Sequence, residues 1–202
     1  MSGGVPIQSY RAYRANIIYA PAFGKLAVYA HGTVVVDGRG IVEGVYAVLP
    51  ERHHGLPCED FGDKLLIPAF VDLHLHASQM PIQGLGHDEG ADWFADYCYP
   101  AETRYADPAY ADMLNKRLIH ALWEQGTMSA NIMCSVHLDS AKNLYAQYSK
   151  SGMAAAIGKM NSDYGAFGEA LETTEASIAQ TREFIDWAAG VASESGANAA
   201  PV

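Results

Sequence analysis

From about Tyr13 to Leu56 the apolar residues come in short runs broken by turn formers, a strand-type pattern. The runs are residues 15–20, 26–29, 33–36 and 45–49, punctuated by Pro21, Gly24, Gly32, Asp37-Gly38 and Gly40. Asp37-Gly38 is a hairpin-type turn. A small antiparallel β-layer is predicted, too short for an independent barrel.

The pattern changes at Leu65. An apolar run from there ends in His74-Leu75-His76 and predicts one buried strand over residues 65–76. Asp107-Pro108 predicts a helix start, with Asp as N-cap and Pro at the first helical position. Ala111, Leu114, Leu118, Ala121 and Leu122 follow at helical spacing, and Gly126 is the stop. A buried strand is predicted over 127–136. Asp139-Ser140 is read as the cap of a second helix carrying Leu144, Tyr145 and Tyr148 and ending before Gly152. A third strand is predicted over 153–160. A third helix is predicted from Thr174, with Ile178, Ile185 and Ala188 on one face and Gly190 as its stop. Strand and helix in alternation call for an α/β fold with parallel strands and right-handed crossovers. The predicted organisation is a β-layer over 1–64, βα units over 65–190 and a flexible tail over 191–202.

Composition narrows the function. The chain has 202 residues, half of them hydrophobic, and a net charge of −10 from 13 basic and 23 acidic residues. That charge argues against a nucleic-acid backbone or an anionic membrane as partner, because both select Lys and Arg. No apolar run approaches the roughly 18 residues that span a bilayer. Met1-Ser2-Gly3-Gly4-Val5-Pro6 has neither the charged nor the apolar region of a signal peptide. Cys58, Cys98 and Cys134 are widely spaced and form no CxxC, which fits a reduced cytoplasmic setting.

Candidate chemistry concentrates at His74 and His76. Residues at i and i+2 of a strand face the same way, so the two imidazoles emerge together. They do so at the C-terminal end of the strand, where α/β proteins place their sites. Two imidazoles suit a divalent metal, zinc most readily. The bare triplet also arises by chance in a chain with eight histidines, so spacing alone leaves both readings open. His53, His54 and His120 read as structural, His87 as a solvated loop residue, and His137 as the end of the second strand. The long segment 80–102 is predicted to be a loop over the site. Its Trp93, Phe94, Tyr97 and Tyr99 suit a flat substrate but read first as packing, and Glu102 as a partner for a nearby donor. No phosphate loop, Ser-His-Asp order, HExxH or cytidine-deaminase-type H-x-E with P-C-x-x-C is present.

The flanks carry a resemblance. Pro68-Ala69-Phe70-Val71-Asp72-Leu73-His74-Leu75-His76 resembles the first barrel strand of the amidohydrolase superfamily, with Ala69 where Gly is frequent. His76-Ala77-Ser78-Gln79, Trp93 and Tyr99-Pro100-Ala101-Glu102 resemble guanine deaminases. So do Gly126-Thr127, His137-Leu138-Asp139-Ser140 and Thr173-Thr174-Glu175-Ala176-Ser177-Ile178. The likeness runs from about Asp63 to about Trp187.

The resemblance implies zinc on His74 and His76, substrate contact by Gln79, and conversion of guanine and water to xanthine and ammonia in purine catabolism. It implies a (β/α)8 barrel joined to a small β-sandwich built from both chain ends, and a homodimer. Such a barrel takes about 250 residues and roughly 140 follow Leu65, so the expected fold is the first three or so βα units of an incomplete barrel. The family's other ligands, two histidines and an aspartate from later strands, and its proton-shuttling glutamate have no counterpart in these residues. The chain alone is therefore expected to be inactive. The alternatives are an amidohydrolase for another heterocycle, or a non-catalytic remnant that associates with partner chains.

Overall fold

A computed structural model of the chain describes residues 10–86, 92–166 and 168–195. His87 and residues 196–202 of the predicted tail lie outside the described residues. The chain divides into two compact units, Met1–Pro68 and Ala69–Val202.

The first unit is a four-stranded sheet of β1 (Arg11–Ala22), β2 (Lys25–Val36), β3 (Val42–Tyr46) and β4 (Cys58–Leu66), in the order β3-β2-β1-β4. The β1–β2 and β2–β3 pairs are antiparallel and β1–β4 is parallel. The sheet is therefore mixed, where an antiparallel layer is predicted. Pro21 and Gly32 fall inside long strands instead of breaking them. The β1–β2 register slips between Ala15 and Ile17, and Asn16 repairs the slip. Its Oδ1 accepts from the N–H of His31 and its Nδ2 donates to the carbonyl of Asp63. Gly32 sits in this bulge, where a Cβ would come within 2.7 Å of the Cβ of Tyr29. The β2–β3 turn is where Asp37-Gly38 predicts it, with Asp37 Oδ1 accepting from the N–H groups of Arg39 and Ile41.

The predicted strand over 65–76 is two strands. Leu65 and Leu66 end β4 and pair with Asn16 and Ile17 of β1. The histidine strand, β5 (Phe70–His76), starts after Pro68, which has no N–H to give to a ladder. Nor is β5 buried: Phe70, Val71 and Leu73 are exposed, and among the described strands β5 lies at the sheet edge.

The second unit holds a parallel sheet in the order β5-β6-β7, with β6 at Thr127–Met133 and β7 at Ala154–Gly158. Its helices are α1 (Tyr99–Thr103), α2 (Pro108–Glu124), α3 (Leu138–Tyr148) and α4 (Thr174–Ser195). The fold is mixed α/β with parallel strands, as the alternation predicts. In α2 the Asp107 side chain accepts from the N–H of Ala109, Pro108 opens the helix, and Gly126 takes φ 75° just past its end. Ala111, Leu114 and Leu118 are buried. The core joins Ile132 and Ile157 of the strands with Leu118, Leu144, Tyr145, Tyr148, Phe184 and Ala188 of the helices.

Two helix expectations are corrected. Residue His137 occupies the cap position of α3, so Asp139 and Ser140 lie inside its first turn and cap nothing. In α4 the buried stripe is Ser177, Phe184 and Ala188, while Ile178 and Ile185 are about half exposed. Gly190 does not stop α4, which continues to Ser195 through the start of the predicted tail. Among the described residues no helix is long and apolar enough to cross a membrane.

Candidate active site

The end of β5 is shaped by a bulge. Asp72 pairs with Ala130 and Leu75 with Ile132, so three steps along β5 match two along β6. Asp72 Oδ1 accepts the N–H of His74 at 3.0 Å, and Asn131 Nδ2 donates to the carbonyl of Leu73 at 3.3 Å. These bonds satisfy backbone groups that the slipped ladder leaves over. The rings of His74 and His76 meet edge to face, 5.0 Å between centroids.

His76 is half-buried, and its Nδ1 is buried with no hydrogen-bond partner among the described residues. Burial first, and the neighbouring His74 second, hold its pKa below the ordinary histidine value. The neutral imidazole this favours is the form that ligates a metal. Among the described residues no third His, Cys, Asp or Glu joins the pair in a metal-holding group. The pair fits two ligands of a divalent cation and leaves other coordination positions open.

His76 leads into a 3₁₀ turn, Ala77–Ile82. The hydroxyl of Tyr105 donates to the carbonyl of Ala77 at 2.9 Å, and Ala77, Ser78 and Met80 are buried. The turn therefore holds half-buried Gln79 in the wall of an open cleft of about 550 Å³, together with His74 and His76. Trp93 and Phe94 line the same cleft, ring centroids 5.2 Å apart and edge to face. Trp93 is fixed by its Nε1, which donates to the carbonyl of Leu85.

The segment 80–102 is thus more than a loop. Its described residues hold the end of the 3₁₀ turn, a π-helical turn at Phe94–Cys98 and most of α1. Packing is the first reading of Trp93 and Phe94 in the sequence, yet both rings face the cleft. Their two consecutive aromatic positions in a segment following the histidines are the signal that could have marked them.

Glu102 is 6% exposed, lines a small hollow with His76 and Gln79, and accepts the N–H of Val136 at 2.6 Å. It is a partner for a nearby donor, as the sequence reading has it. Burial raises its pKa, against hydrogen bonds from Ser78, Val136 and Ser135 and the proximity of His137. His137 itself lines a different hollow from His74 and His76. His120 is exposed on α2 beside Glu124, while buried His53 contacts Glu43. At the end of β7, Lys159 is buried and its Nζ meets both carboxylate oxygens of Glu172.

No family model matches the chain. Curated guanine deaminases match it at 25–33% identity. That of Dictyostelium discoideum is 28% identical over 193 residues, 87% of this chain and 43% of that protein. A guanine deaminase crystal structure from C. acetobutylicum, with guanine bound in its active site, superposes with TM-score 0.81 at 31% identity. The match covers 88% of this chain and 42% of that one. An amidohydrolase from an environmental sample of the Sargasso Sea shares the fold at TM-score 0.60 and 15% identity. The chain therefore spans less than half the length of the relatives it matches. In sequence and in its α/β fold, this chain is similar to a part, about two-fifths, of guanine deaminases.

Proposed function

We propose that the chain is the N-terminal portion of a zinc-dependent guanine deaminase, in which guanine and water give xanthine and ammonia. The observation that carries the reading is the facing His74 and His76 pair on a cleft shared with Gln79. His74 and His76 would hold the zinc, whose chemistry is to lower the pKa of bound water towards neutrality. Gln79, with two donors and an acceptor on its amide, would orient the purine edge. Trp93 and Phe94 would wall the flat ring, whose stacking on aromatic faces is favourable.

The first unit is read as one part of a β-sandwich. The second is read as the opening βα units of an incomplete (β/α)8 barrel. The edge position of β5 among the described strands supports that reading, since its unpaired backbone N–H and C=O groups suit a further strand. The remaining ligands and the acid–base carboxylate then come from sequence outside these 202 residues. Three unpaired cysteines suit a reducing cytoplasm. A homodimer is proposed from the resemblance alone.

Cobalt(II), which reports ligand number by its visible absorption, tests the pair. The 202-residue chain should bind about one Co²⁺ weakly, leave water in its coordination shell, and lose the band in His74→Ala or His76→Ala. With added zinc it should release no ammonia from guanine above background. Retention of Co²⁺ by both variants would remove the metal assignment, and ammonia release by the chain alone would show that its own residues complete the site.

A further inference from the structure

We propose that Glu102 is the positioning residue of this site: its buried carboxylate ties the turn after His76 to the end of β6, and so sets how His76 and Gln79 face the cleft. The inference takes its functional meaning from the reading of His76 as ligand and Gln79 as substrate contact. Its geometry stands independently of that reading.

Glu102 projects from α1, an element that carries none of the cleft-facing side chains, into a space where polar groups are scarce. Around it are Ser78 at 3% exposure and Ser135 at 0%. The Val136 N–H reaches its Oε1 at 2.6 Å, and the two serine hydroxyls stand near the same carboxylate, where they favour its charged form. Ser135 is doubly used, since its Oγ also accepts the N–H of His137 at the cap of α3. One carboxylate thus meets three segments: the 3₁₀ turn at Ser78, with which it shares a hollow, α1 through its own backbone, and the β6–α3 junction through the Val136 N–H.

Ser78 lies between His76 and Gln79 in the chain, so packing that holds buried Ser78 against Glu102 restrains the backbone on both sides. A small hollow of about 60 Å³ shares His76, Gln79 and Phe94 with the main cleft. Ser78, Glu102 and Val136 also contribute to its wall, which places the carboxylate beside residues of the cleft. A buried carboxylate that collects donors from separate segments fixes their spacing, because each donor left without it would be desolvated and unpaired. A direct hydrogen bond to a ligating side chain typically changes metal affinity by about 10–100-fold when removed, and support acting one residue further back belongs at the lower end of that range.

The test uses the ¹⁵N-labelled 202-residue chain and three variants, Glu102→Ala, Glu102→Gln and Ser78→Ala. The first readout, taken without metal, is the side-chain amide signal of Gln79 and the ring nitrogens of His76, with the side-chain amides of Asn16 and Asn143 as remote controls. Glu102→Ala should shift and broaden the Gln79 and His76 signals, leave the controls in place, and weaken Co²⁺ binding about tenfold. Glu102→Gln keeps an oxygen for the Val136 N–H and should restore both readouts to within about threefold of the parent. Ser78→Ala should move the same signals, and it decides the question if Glu102→Ala does not fold.

Unchanged Gln79 and His76 signals in a folded Glu102→Ala, or in Ser78→Ala, would overturn the proposal. So would failure of Glu102→Gln to recover what Glu102→Ala loses. Absence of Co²⁺ binding in the parent, or its survival in His74→Ala, would count against the metal reading. The metal-free signals would still decide on Glu102.

Discussion

Asp72 turns its carboxylate back onto the N–H of His74, and the bulge that this bond accompanies presents the two imidazoles to one cleft. The three cysteines show how strongly burial separates side chains of the same type. Burial pushes the thiol of Cys98 up to about 11 and that of Cys134 up to about 12, whereas Cys58 is exposed. Alkylation requires the thiolate, so at pH 8 about one Cys98 in a thousand and one Cys134 in ten thousand are in reactive form. Intact-mass analysis of the native chain with iodoacetamide at pH 8 should therefore show one rapid addition, at Cys58. The remaining two should appear only with denaturant. Rapid triple labelling without denaturant would contradict the packing of both buried thiols.

Elements were legible where their signals are local. Asp107 and Pro108 start α2 by their own chemistry, and Gly126 takes the left-handed conformation that suits it past the helix end. Elements whose definition depends on a neighbour were not. β4 exposes most of its side chains and contains Glu59, Asp60, Asp63 and Lys64, so it has no apolar pattern. Its identity comes from backbone pairing with β1. Along α4 two stripes compete, and the aromatic ring of Phe184 rather than the branched Ile178 and Ile185 enters the core. The His74–His76 spacing was readable, but the bulge that aims the pair depends on register with β6. Gln79 was identified by its flanks, while the cleft role of Trp93 and Phe94 needed the folded segment.

The connection from β7 to α4 rests on a pair that no periodicity announces. Lys159 Nζ is fully buried, bonded to Glu172 at 2.8 and 3.1 Å and to the carbonyl of Met160, and Glu172 also accepts the N–H of Ser162. Removing one partner leaves an uncompensated buried charge, which costs about 3–5 kcal/mol. Urea unfolding should show Lys159→Met losing stability in that range. Lys159→Met combined with Glu172→Gln should lose less than the two single changes added together. Simple additivity of the two would contradict a direct buried pair.

At the scale of the molecule, the strand–helix alternation was enough to predict a parallel α/β arrangement, and the order β5-β6-β7 agrees with it. The mixed β1–β4 sheet was less legible, since parallel pairing of distant segments leaves no local trace. The chain matches about two-fifths of guanine deaminase structures, and its candidate site holds two metal-ligand candidates and one substrate-contact candidate. The central claim is that these residues are the corresponding part of such an enzyme. Its most direct test is a chimera in which residues 1–202 replace the matching part of a guanine deaminase, assayed with zinc for xanthine and ammonia from guanine. The folded chimera should convert guanine, lose activity by at least about a hundredfold in His74→Ala or His76→Ala, and show a KM raised about tenfold in Gln79→Ala. A folded, zinc-loaded chimera that leaves guanine unchanged, or that works equally well without either histidine, would contradict the account.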